Sequence, residues 1–284
     1  MIQDLGDKKL NNAYEPRKAG PNDRFFRFDK DKILVRTLPD GRLLLPTAGE
    51  LGCPQGQYLF AIGGDRYFLE LPSEEVSSKG VQRDASRVPE GFTFESVRNF
   101  RYLQIKELAF AAATAYHLYQ WYRDNRYCGR CGQLVSHSSR ERALCCPACG
   151  NTIYPKIAPA VIVALTDGDR ILLTRYNGRA YKRYALIAGF TEIGETAEET
   201  VRREVMEEVG LRVKNITYYK SQPWGTDSNL LLGFFCELDG SDEIRMDEDE
   251  LSTAEWFHRG EMPEQDDGFS LTREMMAVFQ RGER

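Results

Sequence analysis

Three glutamates, Glu204, Glu207 and Glu208, crowd one short stretch of this 284-residue chain. On a helix turning about 100° per residue, Glu204 and Glu208 lie roughly 40° apart, with Glu207 roughly 60° to the other side of Glu204. The three carboxylates then share one acidic stripe. Val201, Val205 and Val209 form the neighbouring apolar stripe, which must face a core. Like charges on adjacent turns oppose helix formation unless cations neutralise them. Hard divalent cations with oxygen ligands are the natural neutraliser, and Mg²⁺ prefers a few carboxylates together with substrate phosphates. The stripe therefore points to metal-assisted phosphate chemistry. A solvated acidic face is the commoner fate of a Glu-rich helix, but fixed neighbours weigh against it here: Gly189, Glu195, Arg203 and Gly210. Thr196 and Glu199 form a capping box, so the helix is predicted over residues 196–209, with Gly210 as its left-handed cap.

A second cluster is made of cysteines. Cys128-x-x-Cys131 and Cys146-x-x-Cys149 are separated by 14 residues, and glycine follows each pair. Two such knuckles place four thiolates at a tetrahedral Zn²⁺. All four positions are protein ligands, so the zinc is structural rather than catalytic. Cys145 could replace Cys146 in a wider pair. Cys53, Cys145 and Cys236 are left as spares. His137, between the knuckles, is expected on an exposed loop, and His117 on a packed helix. Arg123, Arg126, Arg130, Arg140 and Arg142 lie near the knuckles. A basic ribbon can bind nucleic acid, but a staple between larger domains is the favoured reading.

These clusters need elements to hold them. Short strands are predicted around residues 32–36, 42–46, 57–62 and 66–71, with turns at Asp40-Gly41 and Gly63-Gly64-Asp65. Residues 1–20 read as a loosely held arm, and residues 103–122 as a helix. Strands follow at 160–165 and 170–174, then the carboxylate helix, then strands at 215–220 and 230–238. A helix over 270–279 closes the chain. The predicted class is α+β: a β-rich domain ending in a helix (1–123), a ribbon (124–153) and an α/β/α sandwich with a mixed sheet (154–284).

Composition limits the partners. The net charge is −5, which at first argues against a polyanionic partner. Residues 237–267 alone hold 13 acids and two arginines, so the remainder is net basic. No run approaches the ~18 apolar residues of a membrane span, and residues 1–24 are too polar for a signal peptide. The expected place is the cytoplasm, with no membrane partner and with the seven cysteines reduced or bound to metal.

The segment from Gly189 to Leu211 resembles the Nudix box, Gly-x₅-Glu-x₇-Arg-Glu-U-x-Glu-Glu-x-Gly-U, where U is a bulky aliphatic residue. Gly189, Glu195, Arg203, Glu204, Val205, Glu207, Glu208, Gly210 and Leu211 match every fixed position. The resemblance implies hydrolysis of a nucleoside diphosphate linked to another moiety, using Mg²⁺ or Mn²⁺ and water. It implies that Glu204 and Glu208 are the main metal ligands, that Glu207 assists, that Arg203 orients the carboxylates and that Glu195 supports them. The zinc ribbon directly before the box, and Ser221-Gln222-Pro223-Trp224 after it, resemble the NADH pyrophosphatase (NudC-like) branch.

That branch implies further roles. Phe190 corresponds to a ring that stacks on a base or on nicotinamide, and Tyr154 and Trp224 to further aromatics of the site. Gln222, Pro223, Asn229 and Thr272 fall in the substrate-binding segments. The carbonyl of Ala188 and the carboxylate of Glu250 correspond to additional metal contacts. Two segments depart from the pattern: Gly225-Thr226-Asp227-Ser228-Asn229 stands where Pro-Phe-Pro-x-Ser is usual, and Ser270-Leu271-Thr272 where Ser-x-Ala is usual. The implied activity is cleavage of NADH or NAD⁺ to nicotinamide mononucleotide and AMP by a homodimer. Alternatives are ADP-ribose, another dinucleotide or the NAD cap of RNA. A different class is a zinc-ribbon nucleic-acid-binding regulator with a ligand-sensing Nudix domain, which would be expected to lose box carboxylates. All are present here.

Overall fold

The computed structural model describes residues 1–52, 55–70, 88–102, 105–178, 183–263 and 268–284. Cys53, the Leu71–Pro72 strand end and the predicted helix start at 103–104 lie outside those residues. The chain folds as two compact units, one made of residues 2–156 and 225–227, the other of Met1, 157–224 and 228–284.

The second of these is built around one strand, Ala158–Asp167. It runs parallel to Asn229–Leu238, with Val161 opposite Leu232. Its first half pairs antiparallel with Ile187–Phe190, and its end with Arg170–Tyr176. Val213–Trp224 flanks Asn229–Leu238, and Leu251–His258 flanks Arg170–Tyr176, so the sheet is mixed. Side chains alternate across a strand. Val161, Val163 and Leu165 face one layer, where they pack with Val201, Val205 and Val209. Ile162 and Ala164 face the other, with Leu271, Met275 and Phe279. Helices therefore cover both faces, which is why residues 160–165 read as an uninterrupted apolar run. Each fully buried aliphatic side chain in these layers contributes roughly 1.5–3 kcal/mol.

The carboxylate helix spans Ala197–Val209, with Thr196 as N-cap, a complete capping box to Glu199 and Gly210 in the left-handed conformation. The closing helix is Leu271–Gln280, capped by the Ser270 side chain. It approaches the sheet closely at Gly233, where a Cβ would sit 2.8 Å from the Met275 sulfur. Two strands, Ile187–Phe190 and Leu251–His258, were not anticipated, and the strand expected at 215–220 extends over Val213–Trp224. Pairing with neighbouring strands overrides the weak local pattern of these stretches.

The other unit is β-rich. Gly56–Ile62 and Asp65–Glu70 form a hairpin through Gly63 and Gly64, whose φ values are +58° and +99°. The residue 1–20 arm is held rather than loose. Leu10 and Asn11 pair with Ile62 and Ala61, and Arg142 donates to the carbonyls of Asn12 and Leu59. The helix spans Lys106–Asp124, and its alanines Ala109, Ala111, Ala112 and Ala115 are buried. A three-stranded sheet of Ser136–His137, Leu144–Cys145 and Thr152–Ile153 forms the ribbon. His137 is not on an exposed loop: it lies on a strand, half-buried, with its ring 5.0 Å from that of Tyr122. Burial depresses its pKa.

Thr196→Ala removes the capping oxygen and is expected to destabilise its unit by about 1 kcal/mol in denaturant unfolding. An unchanged midpoint would show that the box is redundant.

Candidate functional site

Glu204 and Glu208 occupy the buried side of the carboxylate helix, 8% and 2% exposed, beside the valine stripe. Glu207 is exposed. Arg203 ties the group together. Its Nε and one Nη hold the two oxygens of Glu195 at 2.6 and 2.9 Å. Its other Nη donates to Glu204 at 2.8 Å and to Glu207 at 2.9 Å. It also reaches the Phe190 carbonyl at 2.8 Å. Glu195 accepts in addition from the Glu192 amide and the Thr200 hydroxyl, each at 3.0 Å. Arg203 above all, then these donors, lower the Glu195 pKa to about 2. Such a fork, with both oxygens of one carboxylate engaged, fixes the guanidinium in direction as well as position.

Gly189 shows why the glycine is needed. Its φ is not in the left-handed region, so conformational freedom is not the reason. A Cβ there would lie 1.9 Å from the carboxyl carbon of Glu204. The strand Ile187–Phe190 thus runs directly against the Glu204 carboxylate. Burial raises the Glu204 pKa, with Arg203 opposing and the charges of Glu207 and Glu250 adding to the rise. Glu250 is exposed, and its carbonyl accepts from the Asn177 amide at 2.8 Å. The Ala188 carbonyl accepts from the Tyr176 hydroxyl at 3.4 Å. Buried carboxylates with opposing charges are a donor set suited to a hard divalent cation.

The substrate-segment residues separate. Phe190 is 54% exposed at the end of its strand. Pro223 is exposed, and Trp224, Asn229 and Thr272 are half-buried. Gln222 has a structural position: it is fully buried, donates to the Phe269 carbonyl and accepts from the Leu271 amide, both at 2.7 Å. It fixes the start of the closing helix. Tyr154 belongs to the β-rich unit, where its hydroxyl donates to Glu141 at 3.0 Å. His117 is bonded to the Lys156 carbonyl at 2.8 Å.

Some positioning groups carried no residue-type signal. Thr200 is one. Another is the segment before Glu250. The Arg245 and Asp247 amides donate to the Val209 and Glu208 carbonyls, each at 2.9 Å, tying this acidic segment to the end of the carboxylate helix. Ile244 and Met246 pack on the core from this segment. Their alternation within an acid-rich run was a readable sign of attachment.

The sulfurs of Cys128, Cys131, Cys146 and Cys149 lie within 4.8 Å of one another, and Cys145 is outside the cluster. Each knuckle closes through a glycine amide, Gly132 to the Cys128 carbonyl at 2.8 Å and Gly150 to that of Cys146 at 3.0 Å. Both glycines have φ near +70°, at +74° and +70°. Four thiols converging in this way fit Zn²⁺.

Residues 156–279 match the model of the NUDIX domain, and residues 123–154 that of the NADH pyrophosphatase zinc ribbon domain. A Pseudomonas entomophila protein named NAD-capped RNA hydrolase NudC is 38% identical over 201 residues, 69% of this chain and 71% of that protein. The chain belongs to the Nudix family, in the branch with this zinc ribbon. Two further relatives of the same name come from Photorhabdus laumondii subsp. laumondii and Pectobacterium carotovorum subsp. carotovorum. The first is 41% identical over 54% of this chain and 59% of its own length. The second is 42% identical over 54% of this chain and 58% of its own length. The chain therefore spans less than two thirds of the length of these two relatives. Among the described residues, no helix of this Nudix protein is long and apolar enough to cross a membrane.

Two outcomes follow from the carboxylate geometry. Gly189→Ala is expected to displace Glu204 and abolish Mn²⁺ binding, read by electron paramagnetic resonance, with zinc content unchanged. Retained Mn²⁺ affinity would refute the steric reading. A carboxyl whose folded pKa is raised favours folding while protonated, and that contribution is lost as pH rises through the raised pKa. Added Mg²⁺ should therefore raise the melting temperature more at pH 8 than at pH 5. Equal shifts would mean that Glu204 is not a ligand.

Proposed function

We propose that this chain is a metal-dependent hydrolase of the pyrophosphate bond in NADH or NAD⁺, yielding nicotinamide mononucleotide and AMP. The observation that carries it is the contact of Gly189 with the Glu204 carboxylate, beside a buried Glu208 and under the Arg203 fork. Glu204 and Glu208 would hold Mg²⁺ or Mn²⁺, with the Ala188 carbonyl and Glu250 as further contacts. Bound there, a divalent cation supplies charge neutralisation for the diphosphate and a more acidic water. Arg203 keeps three carboxylates aimed, and Glu195 keeps Arg203 in place. Water attacks one phosphorus in line, and its proton passes to a stripe carboxylate. Glu207, the exposed member, is accessible for that role. Phosphoryl transfer gains chiefly from positioning and charge neutralisation, which suits a site built of carboxylates.

Phe190 presents an exposed ring for stacking on a base or nicotinamide, with Trp224 as a further aromatic contact. Pro223, Asn229 and Thr272 complete the proposed substrate side, whereas the burial of Gln222 favours a supporting role. The name shared by the relatives supports NAD-capped RNA as a second substrate. The structural zinc sits on the four ribbon cysteines, and the active assembly is proposed to be a homodimer, which sedimentation would test.

Glu208→Gln is expected to abolish Mg²⁺-dependent cleavage of NADH while leaving zinc content intact. Turnover of NADH, ADP-ribose and NAD-capped RNA, with both products identified, ranks the substrates. Retained turnover in the variant would sink the assignment. Tight duplex binding without hydrolysis would favour the regulator reading.

A further inference from the structure

The β-rich unit holds a polar cavity of about 390 Å³, and nothing in the proposed hydrolysis uses it. It opens where the residue 1–20 arm meets the Gly56–Ile62 and Asp65–Glu70 hairpin. Tyr58 is one of its lining residues. That side chain is 3% exposed and packs edge-on against Phe68 at 5.3 Å between ring centroids. No hydrogen bond to its hydroxyl is present among the described residues, and the residue lines the cavity.

Arg17 and Arg66 line it as well. Arg17 lies over the Tyr58 ring, 5.9 Å from its centroid. Its Nε is held by Glu15. The Arg66 Nε donates to Asp23 at 2.8 Å. In each case the terminal amino groups make no hydrogen bond among the described residues. Asp23 is only 6% exposed, and its second oxygen accepts from the Gly20 amide at 2.7 Å, so its charge is already satisfied. Asn22 adds an uncommitted amide. Asp65, at the hairpin end, is the remaining acid of the lining. Burial pushes the Tyr58 hydroxyl's pKa up. Arg17, Arg142 and Arg66 pull it down, and Glu15 adds to the rise.

We propose that this cavity binds a phosphate monoester, with its phosphate between Arg17 and Arg66 and on the Tyr58 hydroxyl. Two arginines and a tyrosine on one lining offer several donors to a phosphate. The volume lies in the range of small-ligand sites and exceeds what a bare phosphate fills, leaving room for a sugar-sized substituent. The site is independent of the carboxylate helix, so its test does not depend on the hydrolase reading.

The test uses the full zinc-loaded chain carrying Glu204→Gln and Glu208→Gln, in Mg²⁺-free buffer. Ribose 5-phosphate, AMP and inorganic phosphate are titrated by calorimetry. Saturable binding of ribose 5-phosphate is expected, with inorganic phosphate competing more weakly. Tyr58→Phe keeps the ring packing and removes only the hydroxyl, and should weaken binding about tenfold. Arg17→Gln should weaken it by about tenfold or more. Ribose, lacking the phosphate, should not bind. Absence of ribose 5-phosphate binding at millimolar concentration would overturn the proposal. So would affinity unchanged in both variants, with folding verified by circular dichroism.

Discussion

Arg203 is the constraint on which the carboxylate site depends. Three glutamates on one helical stripe repel one another, and two of them are buried. One guanidinium reaches Glu195, Glu204, Glu207 and the Phe190 carbonyl. It therefore joins the helix, the loop before it and the strand Ile187–Phe190 in a single hydrogen-bonded set. The planar fork makes this possible. A lysine would offer a point charge with no fixed direction. Glu195 is the counterpart that keeps the fork oriented, and its own oxygens are held by Thr200 and the Glu192 amide.

The scaffold supplies what this hub cannot. The sheet is covered on both faces, so the helix is seated by Val201, Val205 and Val209 against the central strand. That seating forces Glu204 and Glu208 inward rather than to solvent. Gly189 then allows the neighbouring strand to approach the Glu204 carboxylate. Burial keeps this carboxyl prone to protonation, a tension that a cation in the site would relieve. The acidic segment ahead of Glu250 closes the arrangement from the far end of the helix through two backbone bonds.

The β-rich unit follows a different logic. Its ribbon is organised by four converging thiols rather than by a large apolar core, and Arg142 ties the ribbon region to Asn12 of the arm and Leu59 of the hairpin. The arm, once seated on the hairpin, walls off a cavity whose polar groups are only partly satisfied from within.

Chemistry-bearing residues with fixed spacing were legible in the sequence. The two cysteine pairs, the capping box, the helix it starts and the carboxylate stripe all follow from local rules of turn, cap and period. The spare at Cys145 was decided only in three dimensions, because Cys-x-x-Cys and its one-residue alternative differ in where a strand turns the side chain. His137 and Gln222 were read from their neighbours in sequence, yet their surroundings come from distant segments, Tyr122 for one and Phe269 with Leu271 for the other. The strands Ile187–Phe190 and Leu251–His258 exist because partners in the sheet offer free backbone groups, which no local pattern records. Sequence alone determined the four ribbon cysteines, the helix that carries the carboxylate stripe and the class of chemistry. Tertiary structure decided which carboxylates are buried and what holds them there, because burial and electrostatic coupling arise only when segments far apart in the chain are packed together.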